Sequence, residues 1–323
     1  MMLLQAPHYA QQSMIDPAGT KAGAINDFWH FLIVTASIVT AIVFITLFIA
    51  LAKRRRPADP EAPGEQRSLT RWVTGSVAVT LVIIVVFLFM DFRLGRAIAT
   101  PPQRTPLRVN VIGHQWWWEF QYPDSATPGN WISTANELHI PVGRRVLLRM
   151  SARDVIHSFW VPNLSGKKDL IPGHDTETWI EADSAGIYRG QCAEFCGLQH
   201  AKMALLVIAE PERQFEQWAL GARGAALAPA DSTAKAGEQV FLTGGCSVCH
   251  AIGGTMAGGT VGPNLTHFGS RLTIAAASLP NTKGNLGGWI VDPQRIKPGS
   301  FMPPNALEPD QLEALLAYLE GLK

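Results

Sequence analysis

Two long uncharged runs near the N-terminus constrain this chain more than any other feature. From Phe31 to Ala52 about 22 residues pass without a formal charge, and Trp72 to Met90 repeats the pattern. A helix rises about 1.5 Å per residue, so each run can span a hydrocarbon core of roughly 30 Å. Both runs are apolar on every face, unlike a helix lying on the surface of a water-soluble domain. The chain is therefore expected to be anchored in a lipid bilayer by a two-helix transmembrane hairpin.

Lys53-Arg54-Arg55-Arg56 follows the first run, and Arg67 and Arg71 precede the second. Basic loops stay on the cytoplasmic side. The N-terminus and everything after Asp91 are then expected on the periplasmic or outer side of a bacterial inner (cell) membrane. Arg93, Arg96, Arg104 and Arg108 blunt this asymmetry, but long exported domains cross largely regardless of charge. The first ten residues lack the basic start and apolar core of a signal peptide. A net charge of +1 gives no basic field with which to gather nucleic acid, so that class of partner is excluded.

Beyond the hairpin the 323-residue chain has room for two modest domains. Alternating or β-branched runs at Leu107 to Ile112, Glu137 to Ile140, Val146 to Met150, Thr178 to Ile180 and Met203 to Ile208 predict a β-sandwich or barrel. The Ala/Gly-rich stretch Leu220 to Ala230 reads as a linker. Helices are expected over Ala234 to Leu242 and Pro309 to Leu322, the latter with Leu312, Leu315, Leu316 and Leu319 on one face. The expected organisation is an exported segment over 1–27, the hairpin over 28–92 and a linker over 93–106. An all-β domain over 107–218, a second linker over 219–233 and an all-α domain over 234–323 complete it.

The four cysteines fall into two close pairs, each beside a histidine. In Cys192-Ala-Glu-Phe-Cys196-Gly-Leu-Gln-His200-Ala-Lys-Met203 two thiols, an imidazole and a thioether share one short loop, and His157 can add a second imidazole. Neighbouring His and Met donors favour metal chemistry over a disulfide, and thiolates with a weak thioether favour copper over hard cations. A single zinc would accept two Cys and two His, but leaves Met203 unexplained. The second pair lies in Cys246-Ser-Val-Cys249-His250, the C-x-x-C-H pattern of covalent c-type haem attachment through Cys246 and Cys249 with His250 on the iron. Met302, in Lys297-Pro-Gly-Ser-Phe-Met302-Pro-Pro304, resembles in spacing and Pro-rich setting the sixth ligand of class I cytochromes c and is the expected one here; Met256 competes but sits among glycines. A His/Met pair raises the iron potential, which suits electron relay. Gly262-Pro263-Asn264-Leu265 resembles the segment that orients the haem His through a backbone carbonyl in these cytochromes, and Trp289 is expected either to line the haem crevice or to serve a purely structural role.

The segments Gly113-His-Gln-Trp-Trp-Trp-Glu119, Asp154-Val-Ile-His157, Lys168-Asp-Leu-Ile-Pro-Gly173 and Cys192 to Met203 resemble the cytochrome c oxidase subunit II family. The C-terminal motifs resemble the class I cytochrome c fused to that subunit in caa3-type oxidases. The resemblance implies a cupredoxin fold, a Greek-key β-sandwich or barrel, for the β-domain. It implies a copper A centre of two copper ions held by His157, Cys192, Cys196, His200, Met203 and the Glu194 carbonyl, with the Glu194 carboxylate reaching a magnesium ion at subunit I. Trp116 would be the point where electrons enter, near the surface over the copper, and Asp154 and Asp169 would help to shape docking. Implied partners are haem-copper subunit I, subunit III and a cytochrome c or other periplasmic donor. Electrons would pass through haem c and copper to haem a of subunit I, where oxygen is reduced and protons are pumped.

The sequence departs from the family at two places. Ser68-Leu-Thr-Arg-Trp72 lacks the Glu that serves proton uptake in many members, and His174 stands where Arg is common. Two other readings remain open, and a third, a quinol oxidase subunit, conflicts with the copper loop. A membrane-anchored haem/copper carrier without oxidase partners would share these cofactors. A copper-dependent nitrogen-oxide reductase would need a His-rich second cluster, of which the sequence shows no sign. A quinol oxidase subunit would lack the copper ligands present here.

Overall fold

The computed structural model describes residues 12–53, 63–100, 107–123 and 131–323. The chain divides into two compact units, Gly23–Thr100 and the remainder. The first is the hairpin. Helices α1 (Thr20–Ala52) and α2 (Pro63–Ala99) form around the two apolar runs, both long and apolar enough to cross a membrane. Phe31 and Phe87 meet edge to face, their ring centroids 5.4 Å apart, so the helices lie side by side. Both helices outrun the apolar segments. α2 continues past Met90 through Arg93 and Arg96 to Ala99, so helix replaces the first half of the expected 93–106 linker. Residues 101–106 and the basic turn at Arg54 to Arg56 lie outside the described residues.

In the second unit ten strands form two five-stranded sheets. The first holds β1 (Leu107–His114), β2 (Trp117–Tyr122), β3 (Ile132–Ala135), β5 (Val146–Ala152) and β8 (Thr176–Ile180), in the order β3-β2-β1-β5-β8. The second holds β4 (Glu137–Pro141), β6 (His157–Trp160), β7 (Lys168–Leu170), β9 (Gly186–Cys192) and β10 (Ala204–Glu210), in the order β4-β10-β9-β6-β7. Two pairs, β1 with β5 and β4 with β10, are parallel; the rest are antiparallel. Alternate residues such as Val109, Val111, Leu148, Met150, Leu205 and Val207 fill one apolar core between the sheets, as the period-two pattern requires. Residues 13–22 strap across this body. Ala18 donates its N–H to the Asn163 carbonyl at 2.7 Å and accepts from Asp183 at 2.8 Å.

α3 (Glu212–Ala222) follows β10 and buries Phe215 and Ala219 against the sandwich. It carries helix through the expected linker start at 219 as far as Ala222. The haem-motif region is helical around its own core. α4 (Ser232–Thr243) is capped by Asp231, whose side chain accepts from the Ala234 N–H at 2.8 Å. α7 (Pro309–Gly321) starts at a capping box between Glu308 and Gln311. The two helices cross closely at Gly237, where an added Cβ would lie 1.9 Å from the Ala314 carbonyl oxygen. Phe241, Leu315, Tyr318 and Leu319 are buried in this second core, with α5 (Cys246–Cys249) and α6 (Lys283–Val291) beside it.

Candidate redox sites and their junction

β9 and β10 are joined by the loop 193–203, so Cys192 ends one strand and Met203 immediately precedes the next. β6 pairs with β9 through Phe159 and Cys192, which brings His157 beside the loop. The expected donors converge. Cys192 Sγ lies 3.8 Å from Cys196 Sγ, 3.9 Å from His157 Nδ1 and 3.2 Å from the Glu194 carbonyl oxygen. Cys196 Sγ is 3.7 Å from His200 Nδ1 and 3.8 Å from Met203 Sδ. Both cysteines are free and buried. They do not ionise together unaided: the hydrogen bond with Cys196 pulls the Cys192 pKa down to about 3, against the cost of burial. That thiolate and burial in turn push Cys196 up. A cation between them removes the conflict, and two sulfurs flanked by two imidazoles, a thioether and a carbonyl suit soft copper. The donor set fits the copper pair.

Asp154 takes a part that its sequence position concealed. Its Oδ1 lies 2.8 Å from His157 Nε2, and the carboxylate accepts from the Gln115 N–H at 2.6 Å and the Val155 N–H at 2.7 Å. Burial opposes ionisation, but these bonds outweigh it and hold Asp154 below the usual carboxylate range. Fixing the outer nitrogen of His157 leaves Nδ1 to face the thiolates. Asp169 and Glu194 are exposed, and the Glu194 carboxylate accepts from the Phe195 N–H at 3.2 Å.

The C-x-x-C-H cysteines and His250 line a cavity of about 330 Å³ together with Met302, Trp289, Phe241, Leu286 and Ile290. His250 Nδ1 is 2.7 Å from the Pro263 carbonyl oxygen, so the ring presents Nε2 as the free acceptor. Burial lowers its pKa, which keeps the imidazole neutral as iron ligation requires. Gly262 is fitted to the ring, since a Cβ there would stand 2.5 Å from His250 Cε1. Met302 is in the cavity lining, whereas Met256 is 91% exposed and absent from it. An apolar slot with two thiols, one oriented imidazole and a facing thioether fits a covalently held haem.

The same cavity is lined by Gln115, Trp116 and Trp117 of the β-domain, so the two sites adjoin. Trp116 donates its indole N–H to the Cys196 carbonyl at 2.8 Å, and its ring stacks on Phe301 at 5.4 Å and 26°. Trp116 was expected near the surface over the copper. It does lie over the copper loop, but with 7% exposure it is covered. Around it the contacts cross in both directions. Lys297 donates from Nζ to the Trp116 carbonyl at 2.9 Å, and Gln199 and Lys202 donate to the carbonyls of Pro298 and Ile296. Glu137 accepts from the Leu272 and Thr273 N–H groups, both at 2.9 Å, and from Thr273 Oγ1 at 3.0 Å. Burial lowers the Lys297 pKa to about 7, with the Lys202 charge acting the same way. Sequence reasoning missed Glu137, Lys297 and Phe301, because each acts on a residue more than a hundred positions away.

Comparison with known proteins agrees with this arrangement. Residues 107–210 match the family described as "Cytochrome C oxidase subunit II, periplasmic domain", and residues 234–323 match "Cytochrome c". "Cytochrome c oxidase subunit 2" of Alkalihalophilus pseudofirmus is 37% identical over 321 residues, spanning 96% of this chain and 90% of that protein. The proteins of the same name from Bacillus sp. (strain PS3) and Bacillus subtilis are 32% and 33% identical, over 84% and 76% of this chain and 80% and 72% of theirs. With two helices able to cross a membrane, a thiolate-rich β-domain and a C-terminal cytochrome c domain, the chain belongs to the cytochrome c oxidase subunit II family.

Proposed function

We propose that this chain is the electron-accepting subunit of a caa3-type oxidase. It takes single electrons from a cytochrome c or another periplasmic donor at the Cys246, Cys249, His250 and Met302 site. It delivers them by way of the His157, Cys192, Cys196, His200, Met203 and Glu194 carbonyl site to haem a of subunit I, where oxygen is reduced to water and protons are pumped. When bound, haem c and the copper A pair supply the one-electron chemistry. The protein's own residues fix the donor atoms, hold the cysteines ready to ionise around a cation and keep bulk water from the thiolates. Subunits I and III are the partners in the bilayer, and the exposed Glu194 carboxylate is placed in this reading at a magnesium ion shared with subunit I. The exported domains stand on the outer side, which the basic residues between the helices support. Tethering donor to acceptor also raises its effective concentration.

The observation that carries this reading is the adjacency of two complete ligand sets, joined through Trp116 and Phe301. Electron paramagnetic resonance and optical spectra of the full chain, matured with haem and loaded with copper, test it. A mixed-valence two-copper signal beside low-spin haem c is expected. Absence of the copper signal with Cys192 and Cys196 reduced and copper supplied would sink the assignment. Co-purification with a haem-copper subunit I separates an oxidase from a free-standing membrane carrier.

A further inference from the structure

Two covalently linked domains can exchange electrons by repeated encounter on a flexible tether or by permanent contact. The boundary here is built for the second. Glu137 is 2% exposed and sits at the start of β4, yet its carboxylate is spent on the backbone and hydroxyl of residues 272 and 273 in the haem-motif region. Lys297 is 3% exposed and reaches the opposite way, from the segment before Met302 to the Trp116 carbonyl. Separation of the domains gives up the three hydrogen bonds that Glu137 accepts and the one that Lys297 donates to Trp116. The Ala204 N–H bonded to the Ala276 carbonyl at 3.2 Å ties the start of β10 to the same segment. Trp116, stacked on Phe301, is left almost no surface.

We propose that Glu137 and Lys297 are positioning residues that lock the haem-bearing domain onto the copper-loop domain in one register, making Trp116 an internal junction rather than a landing surface for an outside donor. The purpose of the lock rests on the electron-relay reading; its existence does not. An outside donor must then deliver electrons to the haem-bearing domain directly.

The test uses the full chain in detergent, carrying haem and copper, with Lys297→Met, Glu137→Ala and the milder Glu137→Gln, which keeps the shape and one acceptor. Hydrogen exchange reads the lock. The Leu272, Thr273 and Ala204 amides are expected to be protected in the wild type and in Glu137→Gln, which keeps the one acceptor oxygen, and to exchange at least about tenfold faster in Lys297→Met and Glu137→Ala, with both apolar cores unchanged. Exposed-amide rates at Leu272 and Thr273 in the wild type, or no change in the Lys297→Met/Glu137→Ala double variant, would overturn it. Flash reduction of the haem then reads the purpose. Transfer to copper should be independent of solvent viscosity in the wild type. In Lys297→Met and Glu137→Ala it should be at least about tenfold slower and viscosity-dependent, with the copper resonance signal and haem potential unmoved. A lock that opens without changing the transfer rate overturns the positioning role. No haem-to-copper transfer in a wild type showing both signals overturns the relay and that role together, while exchange still decides the lock.

Discussion

Asp154 Oδ1 and His157 Nε2 lie 2.8 Å apart, with the His157 ring fully buried and its other nitrogen turned to Cys192. The carboxylate thus sets how the imidazole meets a metal without touching the metal itself. Asp154→Ala is expected to weaken copper binding about ten- to a hundredfold while the β-domain stays folded. Competition titration against a copper chelator, paired with circular dichroism, measures both. Unchanged affinity would show that packing alone orients His157.

Gly262→Ala places a methyl group where the His250 ring lies. The ring must tilt away from Pro263 or the loop must shift, at a cost of about 1–3 kcal/mol. The expected result is a lowered melting temperature for the haem domain together with partial high-spin character in its optical spectrum. A variant with wild-type spectrum and melting would show that the loop yields freely.

Met302 and Met256 are separated by their surroundings. Met302→Leu should abolish the low-spin spectrum and lower the haem potential, whereas Met256→Leu should leave both unchanged. Redox titration followed optically distinguishes them, and the reverse pattern would transfer the sixth ligand to Met256.

Burial raises the pKa of Glu137 above its ordinary 4.5, with His139, Arg271 and Thr273 pulling the other way. The native state then holds this proton more tightly than the unfolded chain. Stability falls as pH rises from the unfolded to the folded pKa and is level above it. Glu137→Gln cannot ionise, so its melting temperature should gain on the wild type as pH climbs above 4.5, then run parallel. Calorimetry across that window would contradict the burial argument if the difference stayed constant.

What could be read from the sequence was local. The hairpin, the Cys192–Met203 loop and the C-x-x-C-H motif are contiguous, and their chemistry is carried by residue type and spacing. The Val- and Leu-rich strands β1, β5 and β10 declare themselves by alternation. β6, β7 and β9 do not: His157–Trp160 and Lys168–Leu170 are too short for a period, and Gly186 and Gly190 interrupt the third. The linker start at 219 fell inside α3 because Leu220, Gly221 and Ala222 look like spacer residues, although Phe215 and Ala219 anchor the helix. The docking role expected of Asp154 concealed its bond to His157, since nothing three residues ahead of a histidine announces a hydrogen bond to it. Glu137 and Lys297 were invisible for a stronger reason: their partners come from another domain, and no periodicity spans that distance.

The strap over residues 13–22 has a consequence for the order of assembly. Ala18 and Ala22 are bonded to Asn163, Leu164 and Asp183, which a ribosome delivers some 140 residues later. The chain's opening segment therefore has nowhere to settle until both hydrophobic helices and most of the sandwich have been made. Its docking waits on the sandwich, and a nascent chain arrested before Leu164 should show that segment fully open to protease.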